Sequence, residues 1–163
     1  MINITPIQTH QIEDAKYVIS AVAQRIFVPE KTVQDFYDIL EEEHELHDVD
    51  HFQQEYVENR GLFLVVMDGK NLVGTGAIKK LDENVAELKR LWLLEEYHGQ
   101  QIGFQVVSQL LNFARTHGYQ KIRLQTSQKQ ERALRFYKQF GFYEIPSYRE
   151  SMDDISMEMN LGT

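Results

Sequence analysis

Residues Val85 to Phe104, VAELKRLWLLEEYHGQQIGF, confine this chain to a small set of folds. An apolar run of strand length, with Leu88, Leu91, Trp92, Leu93 and Leu94, gives way to the polar turn Glu95–Gln101, whose one glycine is Gly99. From about Ile102 the apolar residues return at helical spacing. Strand, short turn and helix in succession belong to layered α/β packing. The arrangement also aims the free N–H groups of the first helical turn, with their partial positive charge, at whatever lies beyond the strand, and anions settle there. The same unit recurs where nothing binds, so by itself it fixes layering and not function.

The flanking sequence supplies the other layers. Ile2, Ile4 and Pro6–Ile7 read as a first strand, and Ile12, Ala15, Val18, Ile19, Val22 and Ile26 as one face of a helix from His10 to about Phe27. Pro29 ends that helix, and Val33, Phe36, Tyr37 and Leu40 begin another, which runs into EEEHELHDVDH. There His44, His47 and His51 have the spacing of a metal face. The His-Glu-x-x-His order of zinc hydrolases is absent, however, so a solvated helix face, or a gate over a site, is the reading taken. Leu62–Met67 and Leu72–Lys80 form a hairpin about Asp68-Gly69-Lys70-Asn71, with Gly74 and Gly76 signalling a bulge or a close approach. Beyond the central strand, Ile102, Val106, Leu110, Phe113 or Ala114, and His117 trace one helical face, which Gly118 closes. Lys121–Gln125 alternates as a strand. Ser127 to Gln130 has capping-box spacing ahead of a helix with Ala133, Phe136, Tyr137 and Phe140 on its stripe, and Gly141 caps it. Phe142–Ile145 and Ile155–Leu161 complete the strands. The expected architecture is one mixed α/β domain over residues 1–163, with a mostly antiparallel twisted sheet of about seven strands and helices on both faces.

Charge and composition then narrow the function. Seventeen Lys and Arg against 25 Asp and Glu leave a net charge of −8, which argues against nucleic acid or an anionic membrane as partner. Without cysteine there is no disulfide framework, thiolate zinc site or cysteine nucleophile. No stretch reads as a signal peptide or membrane span, so a cytoplasmic location is expected.

Two segments together carry a family resemblance: LKRLWLLEEYHGQQIG from Leu88 to Gly103, and ERALRFYKQFGF from Glu131 to Phe142. They resemble the GNAT superfamily of acyl-CoA N-acyltransferases, whose pattern is a strand, Arg/Gln-x-x-Gly-x-Gly/Ala leading a helix, then Asn-x-x-Ala-x-x-x-Tyr-x-x-x-Gly-Phe. The order of elements fits from first strand to last, and the tail IPSYRESMDDISMEMNL resembles the closing strands of bacterial members. His98 stands at the position of the Arg or Gln, Gln101 at the first glycine and Gln130 at the Asn, while Gly103 keeps the second glycine position.

The resemblance implies acetyl-CoA as co-substrate, with no metal. It implies backbone N–H groups around Leu91, Trp92 and Leu93 on the thioester carbonyl. It also implies a pyrophosphate loop of His98, Gly99, Gln100, Gln101, Ile102 and Gly103, with Gln130 and Tyr137 alongside. Helix-like dihedrals at Gln101 would let that loop form with a glutamine in it. Tyr137 is the candidate general acid for the departing thiolate, unless it is one more aromatic in its stripe. An alkyl amine with a pKa of ~10.4 must lose a proton before it attacks. Glu87, expected on one strand face with Lys89, Leu91 and Leu93, is the candidate base, or else the partner in a cross-strand ion pair. The leading expectation is acetyl transfer to a small-molecule primary amine. A protein or peptide acetyltransferase and a non-catalytic acyl-CoA-binding module stand as alternatives, and the acceptor and a homodimer are left open.

Overall fold

The computed structural model describes residues 1–162. Seven strands form one sheet in the order β1-β2-β3-β4-β5-β7-β6. These are β1 (Ile2–Pro6), β2 (Leu62–Asp68), β3 (Asn71–Lys80), β4 (Val85–Leu93), β5 (Lys121–Thr126), β6 (Tyr143–Ile145) and β7 (Ile155–Asn160). Every pairing is antiparallel except β4 with β5, which is parallel and three residues long, Val85–Glu87 against Lys121–Arg123.

Helices cover both faces. On one side α1 (Ile12–Phe27), α2 (Val33–Glu42), α3 (His47–Asp50) and α4 (Phe52–Glu55) enclose a core with Val18, Ile19, Leu46, Tyr56, Phe63 and Val65. On the other, α5 (Ile102–Thr116) and α6 (Glu131–Phe140) pack over Leu64, Ile78, Leu88, Ile122, Leu124 and Met157. Each fully buried Leu or Ile contributes about 2–3 kcal/mol to holding these layers together. Local chemistry sets the ends. Thr32 Oγ1 accepts from the Asp35 N–H at 3.1 Å to cap α2, and Gly118 closes α5 at φ 85°. Lys16, on the apolar face of α1, is tolerated there because Glu41 and Asp50 bind its ammonium.

Three local expectations fail, each for a visible reason. The acidic run does not continue α2, because His44 turns left-handed at φ 59° and breaks it. The His47 and His51 rings lie 4.2 Å apart between centroids, tilted by 42°, and no metal-binding cluster of His, Asp or Glu occurs among the described residues. Ser127 makes no capping box. Its Oγ accepts from the Lys129 N–H at 3.2 Å in a tight turn, and α6 starts only after Gln130.

The third failure positions the site. Ala77 pairs with Lys89 and Thr75 with Trp92, so Gly76 opposes both Arg90 and Leu91, a β-bulge. The extra residue reverses the alternation along β4. Leu88, Leu91 and Leu93 all lie on the α5 side, and Trp92 joins the opposite core. Glu87 and Lys89 therefore share a face with Trp92, not with Leu91 and Leu93. Gly76 is needed across from the bulge, since a Cβ there would sit 2.5 Å from Val106 of α5.

Candidate functional site

Past Glu87, β4 and β5 part, and that edge of β4 has no strand beside it. Two cavities fill the split. The outer one, of about 860 Å³, runs between the loop into α5 and the face of α6. The inner one, of about 300 Å³, lies deeper against Glu87, Lys89, Tyr137 and Asp153. Leu91, Trp92 and Gln130 line both, so the two spaces meet at the bulged end of β4.

The outer cavity takes one wall from the loop into α5. Leu93, His98, Gly99, Gln101, Ile102 and Gly103 line it with Leu91, Trp92 and Gln130. Gln100 alone of the expected loop residues does not. It is exposed, and its Nε2 reaches Glu96 O at 3.4 Å. Gly99 and Gln101 are both left-handed, at φ 81° and 67°. The loop thus demands at Gln101 a conformation that glycine adopts freely and that costs a side-chain-bearing residue about 1–2 kcal/mol. Gln101 does not cap α5 with its side chain, which leaves the first N–H groups of that helix free toward the cavity. Gly103 packs close to α6, where an added Cβ would meet the Phe136 ring at 3.7 Å.

His98 is not the phosphate-facing cation that its position suggested. Its ring folds back on β4, with Nε2–H donating to Leu93 O at 3.0 Å. Nδ1 is buried without a partner. Burial, helped by nearby Arg132, lowers its pKa below the ordinary histidine value, so the ring is neutral near pH 7. The cations of the outer cavity come instead from Lys129, Arg132 and Arg135. Sequence reading missed all three, although 132, 135 and 139 recur at helical spacing on α6.

Tyr137 lies in the inner cavity and not the outer one. Burial and the neighbouring Asp153 carboxylate push its phenol pKa well up, with no hydrogen bond involved. Glu87, 2% exposed, is already engaged. Its Oε2 accepts from the Tyr148 hydroxyl at 2.7 Å and from Arg149 Nη2. The partner is thus an arginine from the segment between β6 and β7, not a residue on a neighbouring strand. Asp153, from the same segment, had no signal in the sequence. Burial and the adjacent Asp154 raise its pKa, and Lys89 offsets this only through space.

The bulge itself is fastened at both ends. Arg90 holds φ 57° while its guanidinium grips Asp48 (Nε–Oδ2 3.0 Å, Nη2–Oδ1 2.6 Å) and Nη2 reaches Glu45 O at 2.6 Å. Asp48 also accepts from the fully buried Tyr56 hydroxyl, and Arg90 O accepts from Thr75 Oγ1 at 2.7 Å. The paired Arg90 guanidinium holds the Asp48 pKa below the ordinary carboxylate value against the opposing effect of burial.

Chemically, the split offers helix N–H groups and cations for an anionic ligand on one side. On the other it offers a small acid-lined chamber, and an unpaired strand edge lies between them. Comparison with known proteins gives the family and the fold. Residues 29–142 match the model described as the acetyltransferase (GNAT) family. N-acetyltransferase 8B of Rattus norvegicus is 33% identical over 103 residues, 60% of this chain and 46% of that protein. An uncharacterized N-acetyltransferase of Dictyostelium discoideum is 36% identical over 64 residues, 39% of this chain and 30% of the relative. The matched region is thus less than half the length of either relative. Among solved structures, a GNAT-family acetyltransferase of Staphylococcus aureus Mu50 superposes with a TM-score of 0.84 at 22% identity over 99% of both chains. The PaiA N-acetyltransferase of Thermoplasma acidophilum, in complex with coenzyme A, gives 0.82 at 20% identity over 98% of this chain and 99% of that one.

Proposed function

The chain belongs to the GNAT family of acetyltransferases, and from that premise we propose that it moves an acetyl group from acetyl-CoA directly to the primary amine of a small molecule. The observation that carries this reading is the meeting of the two cavities at Leu91, Trp92 and Gln130. A donor in the outer space and an acceptor in the inner one can touch only there. An inner space of about 300 Å³, covered by the 146–154 segment, favours a small acceptor over a protein surface.

When bound, acetyl-CoA supplies the thioester that carries the acetyl group. The free amides leading into α5, with Lys129, Arg132 and Arg135, suit its phosphates. The unpaired edge of β4 at Leu91–Leu93 offers N–H groups to the carbonyl oxygen where charge develops. Tyr137 then gives its proton to the departing sulfur. Its raised pKa keeps the hydroxyl protonated until that moment.

An incoming ammonium must first surrender a proton, and two carboxylates, Glu87 and Asp153, lie inside the chamber, with Glu45 at its rim. Glu87 has one oxygen engaged by Tyr148 and Arg149, so its part is to anchor the 146–154 segment over the pocket. Asp153, with its raised pKa, is the better base and takes the proton directly or through water. Transfer is direct on this reading, since the sequence suggests no Ser-His-Asp triad and holds no cysteine to carry an acyl intermediate. No helix among the described residues is long and apolar enough to cross a membrane, and we take the enzyme to act in the cytoplasm.

Two measurements test the reading. Acetyl-CoA at 100 times its Kd should stabilise the protein by about 2.7 kcal/mol, and free CoA should appear when small amines are added. Tyr137→Phe should lower kcat by about 10–100-fold without loss of that stabilisation, because a thiol of pKa about 8.5 is already a tolerable leaving group. A folded sample that no acetyl-CoA, short acyl-CoA or CoA stabilises would overturn the proposal. Stabilisation without CoA release from any amine or peptide would leave an acyl-CoA-binding module in its place. Release with peptides alone would make it a peptide acetyltransferase.

A further inference from the structure

The charges of the inner cavity do not cancel group by group. Glu87 is bound to Arg149 and Tyr148, and Arg90 to Asp48. Lys89 joins neither pair. It feels Glu87 and Asp48 only through space, with no hydrogen bond to either. Asp153 likewise senses Lys89 without bonding to it. Thr126, 2% exposed, lines the same chamber, and its hydroxyl is buried with no partner. The remaining acid on the lining, Glu45, is exposed and solvated at the rim. A chamber that keeps one ammonium, one carboxyl and one hydroxyl uncommitted is complementary to a molecule carrying both charges.

We propose that the acceptor is zwitterionic, an amino acid or similar amino-carboxylate, seated with its carboxylate on Lys89 and its amine beside Asp153. This rests on the acetyl-transfer reading above and narrows it from any small amine to one class. The placement has the right polarity. Asp153 is close enough to Tyr137 to perturb its hydroxyl, so an amine there lies at the reacting end. Lys89 and Leu91 both line the chamber, on either side of the bulge at Arg90. Lysine's flexible stem lets its ammonium meet a carboxylate on the same small molecule. Burial holds the Lys89 ammonium below its ordinary pKa, and an arriving carboxylate supplies the counter-charge that the protein withholds.

The experiment compares steady-state rates, with acetyl-CoA saturating, for glycine, β-alanine and γ-aminobutyrate, for their carboxamides, and for diamines of matching length. At least one amino-carboxylate should exceed its carboxamide by about 10–100-fold in kcat/KM, the worth of a charge-assisted contact. Lys89→Met should collapse that carboxylate-to-carboxamide ratio toward unity, mainly through KM. Lys89→Arg should retain most of it. Lys89 makes no ion pair among the described residues, so the Met variant should melt with the wild type, and that is checked alongside. Equal use of carboxamides or diamines would overturn the carboxylate seat and leave acetyl transfer standing. So would a Lys89→Met loss that falls on kcat alike for every acceptor. Failure of all three acceptor classes, with acetyl-CoA still bound, would overturn both.

Discussion

The outer and inner cavities touch at three residues yet are built on opposite principles. The outer one is local. A single strand–turn–helix over residues 85–116 and the exposed face of α6 supply nearly all of it, so its donors are the amides at the start of α5 and the side chains of Lys129, Arg132 and Arg135. The inner one draws on six separated parts of the chain: Phe27, Glu45, β4, the end of β5, Gln130 with Tyr137 of α6, and the segment holding Arg149 and Asp153. Its shape depends on ion pairs between residues 42 and 62 positions apart in sequence. Such a division suits a protein whose donor is fixed and whose acceptor is what varies. Backbone binds a constant phosphate group whatever the side chains are, while long-range side-chain pairs can be exchanged without disturbing it.

Breaking one side should spare the other. The largest effect is expected for Asp48→Ala, which leaves the mostly buried Arg90 charge and the Tyr56 hydroxyl without their partner. About 3 kcal/mol of stability should be lost in denaturant titration. The acceptor KM should rise while acetyl-CoA affinity holds within about 3-fold. Comparable losses on both sides would mean that the bulge serves the two cavities jointly.

Gly103→Glu is the converse. A Cβ at that position has room beside Phe136, so the fold should survive. A carboxylate at the helix start should cost acetyl-CoA about 100-fold in affinity, read by calorimetry. Gln101→Gly should act in the favourable direction. Relief of the left-handed strain, less the chain entropy of glycine, should raise stability by up to about 1 kcal/mol. Acetyl-CoA should bind somewhat more tightly if that side chain crowds the phosphates.

The smallest effect concerns pH. The folded His98 pKa lies below its unfolded value, so between the two the unfolded chain holds more protons and stability rises with pH. The contribution is present above the ordinary histidine pKa and is lost as pH falls through the folded value. His98→Asn should therefore flatten the melting temperature between about pH 5 and pH 7. A profile that keeps its slope would assign it to another group.

Legibility in the sequence follows the same division. All seven strands and the three long helices that frame the core could be placed, because periodicity and glycine or proline punctuation are local signals. The outer loop could be found because its residues are contiguous. The bulge was signalled by Gly74 and Gly76 on β3, and the register shifts there. Which residues of β4 it displaces leaves no mark on β4 itself, and so Leu91 and Leu93 were expected on the wrong face. Gln101 was expected in helical dihedrals because glutamine prefers them, whereas the turn geometry overrides that preference. Lys89, Arg149 and Asp153 remained hidden because nothing in an irregular segment says which charge it will meet across the fold.

The three-residue seam between β4 and β5 also bears on cohesion. On one side, β2, β3 and β4 form a meander whose contacts are close in sequence, and on the other β5 pairs with β7 from beyond α6. Few backbone bonds hold the two groups together across that seam. A ligand lying across the split would add cohesion that the sheet omits there, so its binding should stiffen the join between the two groups of strands.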